Sequence, residues 1–419
     1  MTTSEKQTKT ADSLDKGDFH DTIVIGSSPA LLLEALHLSR QGNRVTILES
    51  KNRLGGAWYG QDLWDLGHID VGCHYIDRQD YTFQLLTKFL DLPCDRQRYD
   101  YLWHSGSPHR EGNSPPTIMS RTRNLLMKWL MADRLVNADL WWLLRSISML
   151  KFHQWPQAFS DCFLKGPRLF PRGGAHGFAS AIITKIEESS IQVITNTKVD
   201  SIVVHEDEAT AIVYTQDSCY GTTQVVTGQN ANFQVLQAGK CLLPNRQYYC
   251  ASHVLLRVAG HKQRPFDFID IIDSPATSLR RIQDVTPSAV KHFNSKRATS
   301  RRASRSRRAN DSSMKALWDK QDLDLQHDDL LICCQHSNQV SPEEKHALAL
   351  LDQLKQLRLI TAESRLVGWH FETYRTLRDP SENSIGNYKV NLPKQIRVMY
   401  TDDMSESLTV NQDRWHFVA

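Results

Sequence analysis

No apolar run in this chain approaches the roughly 18 to 20 residues that cross a bilayer, which argues against a protein threaded through a membrane by helices. Charge of one sign is equally scarce. Lys plus Arg total 50 against 47 Asp plus Glu, a formal net charge of +3, and that balance supplies no field with which to gather nucleic acid. The eight cysteines are scattered, with no C-x-x-C pair and no His/Cys cluster at zinc spacing. That leaves no metal site to propose and points to reduced thiols in the cytoplasm. A G-x-S-x-G elbow and a Walker loop are both missing, so hydrolase and kinase chemistry have no foothold. The first 20 residues have neither the apolar core of a signal peptide nor an organelle address, and read as a disordered leader.

Glycine is also sparse where a nucleotide-binding turn most uses it. The stretch "TIVIGSSPALLLEALHLSRQGNRVTILE", residues 22–49, begins with an apolar strand ending in Gly26. A helix follows from Pro29, stopped by Gly42, and then a second strand at "RVTILE". In the dinucleotide motif G-x-G-x-x-G the first glycine makes the turn, the second admits the phosphate and the third lets helix and strand pack closely. Here Ser28 and Leu31 stand at the second and third positions. The spacing of Glu34, His37 and Gln41 predicts a polar outer face for the helix, with Leu31, Ala35 and Leu38 toward the sheet. Glu49 closes the second strand where an acidic side chain accepts hydrogen bonds from ribose hydroxyls, and its charge disfavours a 2′-phosphate.

Beyond this unit, residues 82–152 read as mainly helical. They include a Trp-rich stretch that suits either a buried cap or an amphipathic surface in peripheral contact with a membrane. The glycine-rich turn at "PRGGAHGF" enters another helix. "IQVITNTKVDSIVVHEDEATAIVYT", "QYYCASHVLLRVAG" and "FDFIDIID" follow as strands of a predominantly antiparallel second layer. Residues 294–313, "NSKRATSRRASRSRRANDSS", form a basic, low-complexity insertion. They suit a solvated loop, an anionic partner or phosphorylated serines. A strand at "DLLICCQ" precedes a helix across "SPEEKHALALLDQLKQLRLI", for which Ser341 is the expected N-terminal cap. "GWHFETYRTL" groups Trp369, His370, Tyr374 and Arg375, a set that serves a planar or sugar substrate or simply a half-buried strand.

After the second strand the chain continues "SKNRLGGAWYG", a short basic turn and a Gly-Gly pair. With the β-α-β unit ending in Glu, this resembles the flavoprotein superfamily of amine oxidases, protoporphyrinogen oxidases, carotenoid desaturases and UDP-galactopyranose mutases. "HIDVGCHYI" is similar to its D-x-G-x-H segment, with Asp70, Gly72 and His74 matching, and "FPRGGAHGFASAI" to its second Gly-Gly turn. The superfamily's terminal Gly-Asp motif is lacking; Asp402 and Asp403 stand near where it is expected.

The resemblance implies an α/β fold: a Rossmann-like FAD/NAD(P)-binding domain with a mixed α+β substrate domain. The first is expected over residues 21–76 and 166–204 plus part of the C-terminal segment, the second over 77–165 and 205–400. It implies FAD as cofactor, with NAD left open, and a small-molecule substrate. The cofactor is expected to touch Gly26, Ser27, Ser28, Pro29, Ala30, Glu49, Ser50, Arg53, Gly55, Gly56, Ala57, Trp58, Gly72, His74, Gly173, Gly174 and Val199. His74, Arg172 and His176 are the candidates for substrate orientation or proton transfer. Three functions stay open at this point: flavin hydride transfer to or from an organic substrate, flavin-dependent nucleotide-sugar isomerisation, and a non-catalytic nucleotide-binding descendant of the fold.

Overall fold

The computed structural model describes residues 19–72, 74, 76, 84–97, 99–103, 135–137, 168–171, 173–205, 210–228, 232–243, 249–272, 278–286, 329–376 and 392–399. Strand β1 (Phe19–Ile25), helix α1 (Pro29–Arg40) and strand β2 (Val45–Leu48) form the expected β-α-β unit. β1 pairs parallel with β2, Thr22 opposite Val45 through Ile25 opposite Leu48. On its other edge β1 pairs parallel with the long β12 (Cys219–Gly228), so the order of the sheet reverses at β1, where α/β proteins place ligands.

The same sheet takes β9 (Gln192–Ile194) beside β2, and beyond β12 the strands β11 (Thr210–Thr215), β10 (Val199–His205), β13 (Gln234–Gln237) and β14 (Lys240–Leu243). β20 (Ile396–Met399) returns late in the chain to pair parallel with the far half of β12. The boundary expected at residue 204 therefore cuts through this sheet: strands up to Leu243 hydrogen-bond with it. The sequence signal there, alternating β-branched residues, reports a half-buried strand without saying which sheet it joins.

Period-two alternation divides β1 between two cores. Val24 packs with α1 and with helix α2 (Gly174–Glu187), while Ile23 and Ile25 pack on the opposite face with Val204, Val213 and Val235. α1 is enclosed nearly all round, and Glu34, expected to face solvent, is fully buried. Its carboxylate meets the Arg397 guanidinium at 2.5 Å. β20 delivers that arginine from more than three hundred residues away, so no local pattern announces it.

The second sheet runs β19 (Arg365–Thr376), β15 (Tyr249–Ala259), β18 (Asp329–His336), β17 (Leu279–Asp284), β16 (Phe268–Ile272), β6 (Tyr99–Trp103) and β7 (Leu135–Asn137). Its pairings are antiparallel except β16 with β6, as expected of the second layer. Helix α3 (Glu344–Gln356) covers one face, burying Leu350, Leu351 and Leu354 against Val254, Leu256, Ile282 and Ile332. Its N-cap is Glu343 and not Ser341, whose hydroxyl instead donates to Glu343 Oε1 at 2.5 Å.

Two short pairs complete the architecture: β3 (Gln61–Asp62) with β4 (His68–Ile69), and β5 (Cys94–Gln97) with β8 (Arg168–Pro171). The helical expectation for 82–152 is corrected where residues are described. Only Leu85–Phe89 coils, as a π-type turn; β5, β6 and β7 are strands. Distant partners, β8 and β16, supply hydrogen bonds that override the local helical preference. The disordered leader expected over the first 20 residues is corrected at Phe19 and His20, which pairing with β12 draws into β1; its residues 1–18, the rest of the Trp-rich stretch, the basic insertion and Asp402–Asp403 lie outside the described residues. Among those described, Cys94, Cys219, Cys241, Cys250, Cys333 and Cys334 carry free thiols, and no helix is long and apolar enough to cross a membrane.

The Glu34–Arg397 pair makes a direct prediction. Arg397→Ala removes the cationic partner of a buried carboxylate and should cost on the order of 3 kcal/mol in urea denaturation, whereas the double variant E34Q/R397M should recover most of it. Equal loss in both would show that the charge pair is irrelevant to stability.

Candidate functional site

At the end of β1 the Gly26 N–H donates to Leu48 O at 2.8 Å, closing the strand onto β2. Ser28 is the N-cap of α1 and Pro29 occupies the first helical position, yet the Ser28 side chain makes no capping bond and no acidic residue lies in the first turn. The Ser28 hydroxyl is buried without a partner. An uncapped helix amino terminus with an orphaned hydroxyl beside it is a ready site for an anion, and a pyrophosphate satisfies both. Leu31, at the third glycine's position, is 3% exposed and belongs to the core. Its Cδ1 lies 3.3 Å from where a Cβ on Gly26 would be. The side chain therefore fills space that the glycine at 26 leaves open.

Glu49 follows β2 and is buried. Its carboxylate accepts from the Ser27 hydroxyl on Oε2 (2.5 Å), and on Oε1 from the Ser50 hydroxyl (3.1 Å) and the Lys51 N–H (2.8 Å). Ser27 Oγ in turn accepts from the Gly55 N–H at 3.2 Å, so one hydroxyl ties the first turn to the Gly-Gly turn. Gly55 sits at φ +101 and a Cβ there would press on Tyr59 at 3.2 Å, which keeps this position for glycine. Gly56 packs against the backbone of Ser28, and Gly56–Tyr59, including Ala57 and Trp58, form a 3-10 turn. The Arg53 guanidinium donates to Gly60 O at 3.0 Å and stacks over Tyr59. Across from Glu49, its N–H donates to Ile194 O and its carbonyl accepts from Thr197, which brings the buried Val199 alongside.

Gly173 and Gly174 open α2. The buried Asp70 carboxylate caps it, accepting from the Ala175 N–H (2.8 Å) and the His176 N–H (3.2 Å), and burial raises its pKa to about 6 against those bonds. His176 donates from Nδ1 to Tyr59 O (2.6 Å), accepts at Nε2 from the Ser180 hydroxyl (3.2 Å) and stacks on His68 at 4.2 Å. Both of its ring nitrogens are thus engaged. His74 packs on Trp58 with ring centroids 4.5 Å apart and planes tilted by 40°, and its Nδ1 is buried without a partner. Gly72 makes room for that ring, since a Cβ at 72 would stand 2.5 Å from His74 Cε1. Arg172 lies outside the described residues.

The feature that sequence reading missed is the second sheet's other face. Glu372, His253, Gln335, Arg281 and Asp270 lie opposite one another across β19, β15, β18, β17 and β16, one polar rung over five strands. The rung faces away from α3 and toward residues 61–74: the Gln61 amide donates to Glu372 at 3.3 Å, and the Gln283 amide to His74 O at 3.0 Å. Arg281 is neutralised by Asp270 at 2.9 Å. Burial, with the Arg281 charge adding to it, lowers His253 to about 4; burial, then His253 and Arg281, lowers His74 to about 3. Both rings are neutral near pH 7, able to donate and accept. Gln283 Oε1 and Gln335 Oε1 are buried acceptors without partners. Alternation of polar and apolar residues in "ASHVLLRV" and "LRRIQD" was the available signal, because period two assigns His253, Arg281 and Gln283 to the face opposite Val254 and Ile282.

The neutral histidines predict a pH dependence of stability. A folded pKa below the unfolded value of about 6.5 means that the unfolded chain binds the extra proton, so stability is full above pH 6.5 and is lost as pH falls toward 4. His74, His253 and His336, the last lowered to about 4 by burial and its histidine neighbours, act together in this direction. Asp70, raised to about 6, acts oppositely between pH 6 and 4. His253→Gln should therefore reduce the acid slope of the unfolding free energy by up to about one proton, and an unchanged slope would refute a neutral buried His253. At the first turn, Leu31→Gly should cost on the order of 3 kcal/mol in denaturation, as removal of a core side chain does. A stable L31G variant with tighter nucleotide binding would show that Leu31 only obstructs the turn.

Residues 24–91 match the sequence model of the NAD(P)-binding Rossmann-like domain. Over nearly its whole length the chain is similar in fold to putrescine oxidase bound to putrescine, at 12% identity and TM-score 0.52, covering 96% of this chain and 99% of that one. A protein from Exiguobacterium sp. 255-15 classed as a protoporphyrinogen oxidase gives 10% identity and TM-score 0.55, covering 94% and 98%. Cyclohexylamine oxidase from Brevibacterium oxydans IH-35A gives 12% and 0.51, covering 95% and 98%. No curated protein matches in sequence. The chain therefore has a Rossmann-like dinucleotide-binding unit joined to a second sheet in the architecture of these oxidases.

Proposed function

We propose that this chain is an FAD-dependent oxidoreductase acting on a small organic molecule. One observation carries the reading: the second sheet turns a polar rung, not an apolar face, toward residues 61–74, the segment that leaves the first Gly-Gly turn. A scaffold that only stored a nucleotide gains nothing from burying the Gln335 and Gln283 carbonyls there, since buried polar groups left without partners are costly.

The residues fit the cofactor's parts in turn. The uncapped start of α1, over Pro29 and Ala30, and the orphaned Ser28 hydroxyl suit the pyrophosphate; Glu49 suits a ribose; the backbone at Val199 suits the adenine edge. Gly56 lets the Gly-Gly turn lie against the Ser28 backbone beside the cofactor, while Gly55, Gly72 and Gly173 serve packing, their open sides taken up by Tyr59, His74 and Gly177. When bound, the flavin supplies hydride transfer, and the protein supplies position and a polar environment. In that division His74, between Trp58 and the rung, orients the substrate and exchanges a proton at its unpartnered Nδ1, while Gln283 and Gln335 hold the substrate's polar groups. His176 supports the site by fixing Tyr59. The free thiols support a reducing compartment such as the cytoplasm.

Purified protein should be yellow, with FAD identified by mass after denaturation; release of NAD, or of no nucleotide after attempted reconstitution, would overturn the assignment. Glu49→Gln should weaken FAD retention by about tenfold or more while leaving the melting temperature within a few degrees. Undiminished retention would remove Glu49 from the site.

A further inference from the structure

A carboxylate has about four acceptor positions, two on each oxygen. At Glu49 three of them are in use: the Lys51 N–H and the Ser50 hydroxyl share Oε1, and the Ser27 hydroxyl takes one position on Oε2. None of these is incidental. The Lys51 donor is backbone. Ser50 adjoins Glu49 in the chain, so its hydroxyl reaches the carboxylate without closing a loop. Ser27 is 1% exposed and is held on its other side by the Gly55 N–H, so it cannot turn away without breaking two hydrogen bonds in the interior. One acceptor position remains, on Oε2.

We propose that Ser27 and Ser50 divide the acceptors of Glu49 so that the nucleotide site grips an adenosine ribose through one hydroxyl rather than two. The preferred ligands are then adenine nucleotides for which one ribose hydroxyl is indispensable and the other replaceable. Ser27 acts as a positioning residue: it fixes the carboxylate, links it to the Gly-Gly turn, and sets how many hydroxyls it can accept. The proposal rests on the dinucleotide reading above.

The test is a calorimetric titration of the full-length chain, freed of any co-purified nucleotide, with ADP, 2′-deoxy-ADP and 3′-deoxy-ADP. In the unsubstituted protein one deoxy analogue should bind within about twofold of ADP, and the other should lose about tenfold or more, as loss of a hydrogen bond to a charged group does. Ser50→Ala and Ser27→Ala each free a second acceptor, and in both variants both analogues should lose about tenfold relative to ADP. Ser50 is exposed, so S50A decides the matter even where S27A disturbs folding. Equal loss for both analogues in the unsubstituted protein, loss for neither, or an S50A pattern identical to the parent would each overturn the inference while leaving the nucleotide site in place. Failure to bind ADP at all would remove the dinucleotide reading with it.

Discussion

The architecture depends on a single buried carboxylate. Asp70 accepts from the first N–H groups of α2 and so settles where that helix begins, a task its charge suits because the helix amino terminus is electropositive. The same residue ends the β4 hairpin and begins the turn through Gly72 to His74, the stretch that touches the second sheet through Gln283. Helix, hairpin and sheet contact are thereby referred to one point. That burial still raises the pKa of Asp70 to about 6 shows that two backbone hydrogen bonds do not fully offset its desolvation. The cost is tolerated because three elements would otherwise have no common reference.

Charge is treated differently in the two sheets. In the second, the basic side chains nearest the interior are matched: Arg281 with Asp270 at 2.9 Å, Arg257 with Asp329 at 2.7 Å, and Lys262 with Asp284. What remains open on and beside this face is neutral and polar, namely the His74 imidazole and the amide carbonyls of Gln283 and Gln335. A surface of this kind discriminates by the direction of hydrogen bonds and not by net charge, and a site built to bond a donor rejects analogues that lack it. In the first sheet the uncompensated element is the positive end of α1, where no acid or side-chain cap intervenes.

Much of this was legible in the sequence. The β-α-β unit, the two Gly-Gly turns, the antiparallel second layer and α3 all declare themselves by periodicity and punctuation, since each is specified by residues adjacent in the chain. The misreadings share a cause. Local pattern puts Glu34 in solvent, Cys94–Trp103 in a helix and Thr210–Leu243 in the second domain, and in each case a distant segment decides otherwise: β20 with Arg397, β8 and β16, and β12. The polar rung was hidden for the same reason. Its five residues come from five strands and become neighbours only through register.

The first turn shows how a motif can change its letters and retain its geometry. The demand for glycine at the third position is a demand for space between helix and strand, and Leu31 meets it by placing its Cδ1 over the bare Cα of Gly26. The demand at the second position is that backbone and phosphate come close. Ser28 keeps its backbone in the extended conformation of a cap while holding an unpartnered hydroxyl beside the turn. Ser27 completes the exchange by supplying Gly55 with an acceptor and Glu49 with a donor. Function here is therefore read from which hydrogen-bonding groups remain unspent: at Ser28, at one position of Glu49, at His74 and along the rung. The count of glycines reports only how the backbone came to expose them.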